Sequence, residues 1–148
     1  MIKEFINRAV KEVVNTTKGI VYHTPRNKLT EEEIETVKKN GVIHFTYYDK
    51  AKSIEKTELR PNEKKALFKK ERDLVWVFLN EEKNFERNLK TVHSKGDRSA
   101  YDAYVIIKNL SDEQIKSLKI RKETDFAVSH KGSLKTNSMI SYKISKEK

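Results

Sequence analysis

Leu74-Val75-Trp76-Val77-Phe78-Leu79 constrains the fold more than any other stretch of this chain: six apolar residues in succession, too short for a helix and rich in β-branched and aromatic side chains. A strand that is apolar on both faces has to be covered on both. The run therefore predicts the central strand of a sheet.

Other segments alternate around it. Residues 1–17 place Ile2, Phe5, Ile6, Ala9, Val10, Val13 and Val14 at helical spacing and predict an amphipathic helix. Gly19 opens the short strand Ile20-Val21-Tyr22-His23, halted by Thr24-Pro25. Thr30-Glu31-Glu32-Glu33 is a capping box with acids in the positive first turn, and Lys38-Lys39-Asn40-Gly41 supplies the cationic end and left-handed stop of that helix.

A strand follows at residues 42–46 and a helix at 48–57, with Ala51 and Ile54 inward; a charged helical connection is expected over 62–72. Past the central run, Asn80-Glu81-Glu82 starts a short helix to Leu89, and residues 93–99 read as a polar loop. Strand character resumes at 101–108. Ser111-Asp112-Glu113-Gln114 caps another short helix, before strands at Phe126-Ala127-Val128 and 139–144 and a frayed tail at 145–148. The order predicts one α+β domain over 1–148, with curved, mostly antiparallel sheets and helices concentrated in the N-terminal half.

Charge bounds the partners. Lys and Arg total 32 against 22 Asp and Glu, a formal charge of +10, which attracts polyanions: nucleic acid or an acidic protein partner. No cysteine is present, which excludes disulfides, thiolate zinc sites and a cysteine nucleophile. No apolar run approaches a membrane span, so no membrane association and a cytoplasmic location are expected. The glycines at 19, 41, 96 and 132 are too scattered for a phosphate loop, and His23, His44, His93 and His130 lack the close pair of a helical zinc site, so no metal site is expected.

One constellation remains. Ile43-His44-Phe45-Thr46-Tyr47-Tyr48 carries His44 and Thr46 two residues apart, so on a strand an imidazole and a hydroxyl share one face. Tyr47 and Tyr48 follow with flat surfaces on which a base or nicotinamide ring can stack. Ala51 and Ile54, then Leu59-Arg60-Pro61, lead on to the apolar run.

That order resembles the ADP-ribosyltransferase-like fold, in the bacterial toxin branch and relatives such as RNA 2′-phosphotransferases. Their first motif is a strand-borne His-x-Thr, followed by a helix containing Ala and Ile, a Leu-x-Pro exit and a hydrophobic strand. The match spans residues 42–79. The resemblance implies that His44 would hydrogen-bond the nicotinamide-side ribose of NAD, that Thr46 would help fix the dinucleotide, and that Tyr47 or Tyr48 would flank the nicotinamide. It also implies a later acid, for which Glu123 and Asp125 are the candidates. Tyr22-His23-Thr24 also closes a strand, so His23 is an alternative bearer of the motif.

Two functions are therefore expected from different classes. One is an ADP-ribosyltransferase-like effector or toxin using NAD to modify a nucleic acid or protein. The other is a non-catalytic, phage- or mobile-element-type basic module that binds nucleic acid or an acidic protein. Neither reading specifies an oligomeric state.

Overall fold

A computed structural model describes residues 13–16, 19–22, 26–61 and 73–144. Residues 1–12, the connection at 62–72, the His23-Thr24 pair and the tail at 145–148 lie outside the described residues, and with them the expectations placed there.

The described chain is a single α+β domain. Strands β1 (Val13–Thr16) and β2 (Gly19–Tyr22) form an antiparallel pair in the register Val13↔Tyr22 to Thr16↔Gly19. The helix expected over 1–17 therefore does not extend through its last turn. Val13, Val14 and Thr16 are β-branched, a class that favours strands, and the backbone of residues 19–22 supplies the pairing.

The remaining seven strands make one sheet in the order β3-β7-β8-β5-β4-β6-β9, every described pairing antiparallel. They are β3 (Asn27–Lys28), β4 (Val42–Thr46), β5 (Leu74–Leu79), β6 (Ala103–Lys108), β7 (Lys119–Ile120), β8 (Val128–Lys131) and β9 (Ser138–Lys143). As its composition requires, β5 is the fourth of the seven and is buried along nearly its whole length.

Among the described residues, four helices cover the sheet: α1 (Glu31–Asn40), α2 (Tyr48–Lys56), α3 (Phe85–His93) and α4 (Asp112–Lys116). Two lie in the first half of the chain and two in the second, and between them they cover both faces of β5; the further helical segments expected at 1–12 and 62–72 lie outside the described residues. On one face Val37 of α1, Ala51 and Ile54 of α2 and Ile115 of α4 pack with Val42, Val75, Val77, Val105 and Ile107. On the other, Leu89 and Val92 of α3 pack with Ile43, Phe45 and Phe78.

Local chemistry sets the helix ends. Thr30 Oγ1 accepts the Glu33 N–H at 3.2 Å while Glu33 Oε1 accepts the Thr30 N–H at 2.8 Å, and Gly41, at φ 78, sends its N–H to the Val37 carbonyl. Ser111 and Gln114 repeat the box at α4. The helix expected to start at Asn80 begins instead as a 3₁₀ turn at Glu82–Asn84, and the polar loop after α3 contains a second such turn, Gly96–Ala100. The strand expected at 126–128 begins only at Val128. Phe126 is left-handed, at φ 61, and the Ala127 N–H is spent on the Asp125 carboxylate, so neither can enter the ladder.

Candidate functional site

The His44-x-Thr46 motif occupies β4, and alternation places its side chains. Ile43 and Phe45 enter the α3-side cluster, and Val42 the opposite one, so His44 and Thr46 share the face of Val42. Against β6, β4 is paired from Val42↔Ile107 through Thr46↔Ala103. Against β5 its pairing stops after Ile43↔Phe78, and from His44 onward the sheet is split.

The His44 ring spans that split. Its Nδ1 lies 2.7 Å from the Trp76 carbonyl oxygen. A carbonyl only accepts, so Nδ1 carries the proton and, in the neutral ring, Nε2 is left with a lone pair. Burial lowers the His44 pKa from its ordinary value. The Trp76 carbonyl pulls the other way, and Arg98 and Lys50 add repulsion that lowers it further. The ring is therefore neutral at pH 7, an acceptor in a positive surrounding.

Thr46 is buried next to it in sequence order on that face. Tyr47 is exposed and meets Tyr101 edge-on, with ring centroids 4.8 Å apart. Tyr48 behaves differently. Its N–H donates to Asp102 Oδ1 at 3.0 Å, so Asp102 supplies the cap that Tyr47 has no side-chain means to give α2. Its ring takes Lys143 at 4.6 Å and Lys52 at 5.6 Å. Tyr48 serves the packing of α2, leaving Tyr47 and Tyr101 as the aromatic pair at the end of β4.

The acids lie elsewhere. Asp125 accepts from Arg121 Nε and Nη2 (3.1 and 2.7 Å), Lys95 Nζ (2.6 Å), the Ala127 N–H (3.1 Å) and Thr124 Oγ1 (3.3 Å). Burial raises its pKa, but Lys95, Arg121 and the Ala127 amide outweigh it and hold the carboxyl below its usual range. Arg121 also lies over the Trp76 ring at 4.2 Å. Trp76 thus touches both halves of the expected site, its carbonyl on His44 and its ring under the arginine that grips Asp125. His44 and Asp125 do not themselves meet. Glu123 is half-buried on the same turn.

Arg98 and the Trp76 carbonyl belong to the surroundings of His44, and Tyr101 to those of Tyr47; none of them was singled out by the motif. Arg98 sits in a stretch that reads only as a polar loop, and a backbone carbonyl has no sequence signal. Among the described residues, no group of three or more His, Cys, Asp or Glu side chains is placed to hold a metal ion, and no helix is long and apolar enough to cross a membrane. Comparison with protein-family models, with curated proteins and with solved structures finds no match to this chain.

Proposed function

We propose that the chain is an ADP-ribosyltransferase-like enzyme that binds NAD beside the split between β4 and β5 and transfers its ADP-ribosyl group to a nucleic acid or a protein. The observation that carries this reading is the tautomer of His44: a neutral ring with Nδ1 spent on Trp76 and Nε2 available to accept from a hydroxyl, as a ribose 2′- or 3′-hydroxyl would require.

The neighbours of His44 support it. Arg98 and Lys50 supply positive charge suited to a pyrophosphate, and Tyr47 with Tyr101 supplies aromatic surface for a nicotinamide. In the reaction the bond between nicotinamide nitrogen and ribose C1′ breaks, neutral nicotinamide leaves, and C1′ bonds to an oxygen or nitrogen of the acceptor, which gives up its proton. Charge grows on the ribose carbon, so a carboxylate is needed nearby. Glu123 and Asp125 are the candidates for that role, Asp125 with its carboxylate bonded to Arg121, Lys95 and Ala127.

The test is thermal unfolding with and without NAD. The melting temperature should rise with NAD in the parent, and His44→Ala and Arg98→Ala should each abolish the rise. A parent protein indifferent to NAD would overturn the reading.

A second reading rests on a different surface. On β9, Ile140 and Tyr142 are exposed, and Tyr142 stacks on Tyr104 of β6 with ring centroids 5.3 Å apart. An aromatic sheet face on a +10 chain suits single-stranded nucleic acid. Salt-sensitive oligonucleotide binding without any NAD effect, lost in Tyr142→Ala, would favour this non-catalytic alternative.

A further inference from the structure

A cavity of about 370 Å³ lies between the first turn of α1, the end of β5 and the start of α3, closed on another side by the 120–126 turn. None of its lining residues belongs to the His44 site. Its floor holds Asn88, only 2% exposed. The Asn88 Oδ1 accepts from Arg87 Nε and Nη2 at 3.3 and 3.2 Å, which uses the carbonyl end of the amide and leaves the Nδ2 group with no partner among the described residues. Every fully buried side-chain nitrogen and oxygen among those residues is bonded, so this NH₂ is not sealed off from solvent, and Asn88 lines the cavity.

Two further features face the same space. Phe126 lines it, 37% exposed as a residue and with its backbone at φ 61, a conformation that a bulky residue adopts only where the surroundings impose it. The Arg87 guanidinium lies 4.3 Å over that ring. The imposing element is Asp125, whose bonds to Arg121 and to the Ala127 N–H fold the turn so that Phe126 is turned outward. The carboxylates of Glu32 and Glu81 also line the cavity. Glu33 is spent on the Thr30 amide and on Lys122 at 3.2 Å, whereas Glu32 has no cationic partner among the described residues and Glu81 gives only Oε1, to Asn84.

We infer that this cavity receives a guanine base. One unpartnered amide donor and two carboxylates on the wall of one cavity ask for a ligand edge with one acceptor and two adjacent donors, on a flat body that can lie against Phe126 and Arg87. Guanine presents O6, N1–H and N2–H in that order. Adenine and cytosine each place ring acceptors where a carboxylate would repel them, and a basic side chain would have to approach a +10 protein past Arg87 and Lys122. The volume suits a mononucleotide. The base can come from a free nucleotide or from a single strand, and the charge of the chain favours both. The inference stands apart from NAD binding and survives or fails without it.

The test is calorimetric titration with GMP, AMP and CMP, alongside fluorescence anisotropy with thymidine heptamers carrying one central guanine or one central adenine. Guanine should bind about tenfold tighter or more than the other bases. Asn88→Asp, which keeps the shape and removes the donor, and Glu32→Gln should each remove most of that preference. Should Asn88→Asp lower the melting temperature strongly, the pair Glu32→Gln, which is exposed, and Glu81→Gln, which is half-buried, carries the same expectation without touching the core. A preference seen with GMP assigns a nucleotide, and one seen only in the heptamer assigns a nucleic acid. Equal binding of all bases, no binding at all, or a preference unmoved by the carboxylate variants would overturn the inference.

Discussion

His44 Nδ1 donates to the Trp76 carbonyl at 2.7 Å, although the strands that carry the two residues have ceased to pair one position earlier. The side chain satisfies a main-chain acceptor where the ladder has opened. Replacing it with Ala leaves that carbonyl without its partner and should cost about 1–3 kcal/mol in urea unfolding. Nitrogen NMR of the ring should show the Nδ1–H tautomer.

The same residue makes stability depend on pH. The folded pKa of His44 lies below its unfolded value, as does that of His130, where burial outweighs the pull of the Gly132 carbonyl. Above about pH 6.5 both states are neutral and the stability is fully present. As pH falls below that, the unfolded chain takes up protons that the folded one refuses, and stability declines. His44→Gln should flatten this decline in part, with His130 supplying the remainder, as read by urea midpoints between pH 7.5 and 5.

Asp125→Asn should destabilise by roughly 3 kcal/mol, because it strips one side from a partly buried network and leaves Arg121 and Lys95 uncompensated. The depressed carboxyl pKa gives the complementary pH behaviour: its contribution is present above the ordinary aspartate value and is lost as pH falls through the folded one. If Asp125 acts through the turn and not on NAD, the NAD-induced rise in melting temperature survives the substitution at temperatures where the variant is folded.

Gly41→Ala should be among the most damaging small changes. A Cβ there would collide with the Ile107 carbonyl oxygen, at φ 78. Backbone conformation and collision act together, for a loss of about 3 kcal/mol or more in denaturant unfolding.

Glu55→Ala tests the edge of the sheet. Glu55 Oε2 accepts both the N–H and the hydroxyl of Ser141, at 2.6 and 2.9 Å, on the terminal strand β9. These bonds lower the carboxyl pKa. Without them a main-chain donor is freed beside exposed Ile140, and light scattering should show concentration-dependent association absent from the parent.

Where a local rule coincides with the global need, the sequence was legible. The six apolar residues of β5 announce a central strand, and Thr30 with Glu33 announces a helix start, because each signal rests on neighbours a few residues apart. The readings that changed depend on distant partners. Val13 and Val14 fit a helix until β2 is placed beside them, and Phe126 fits a strand until Asp125, Arg121 and Lys95 are seen to fold its turn. At the candidate site, alternation alone puts His44 and Thr46 on one face. The Trp76 carbonyl, Arg98 and the unsatisfied Asn88 amide depend on tertiary placement that no spacing encodes.

Trp76 is the sole tryptophan of the chain, and it sits half-buried with a histidine on its carbonyl and an arginine on its ring. Indole emission responds to charge and polarity around the ring, so the protein carries its own optical reporter. A ligand that disturbs His44 or one that shifts the turn holding Arg121 should each register there without any label, and the two can be told apart by which substitution silences the signal.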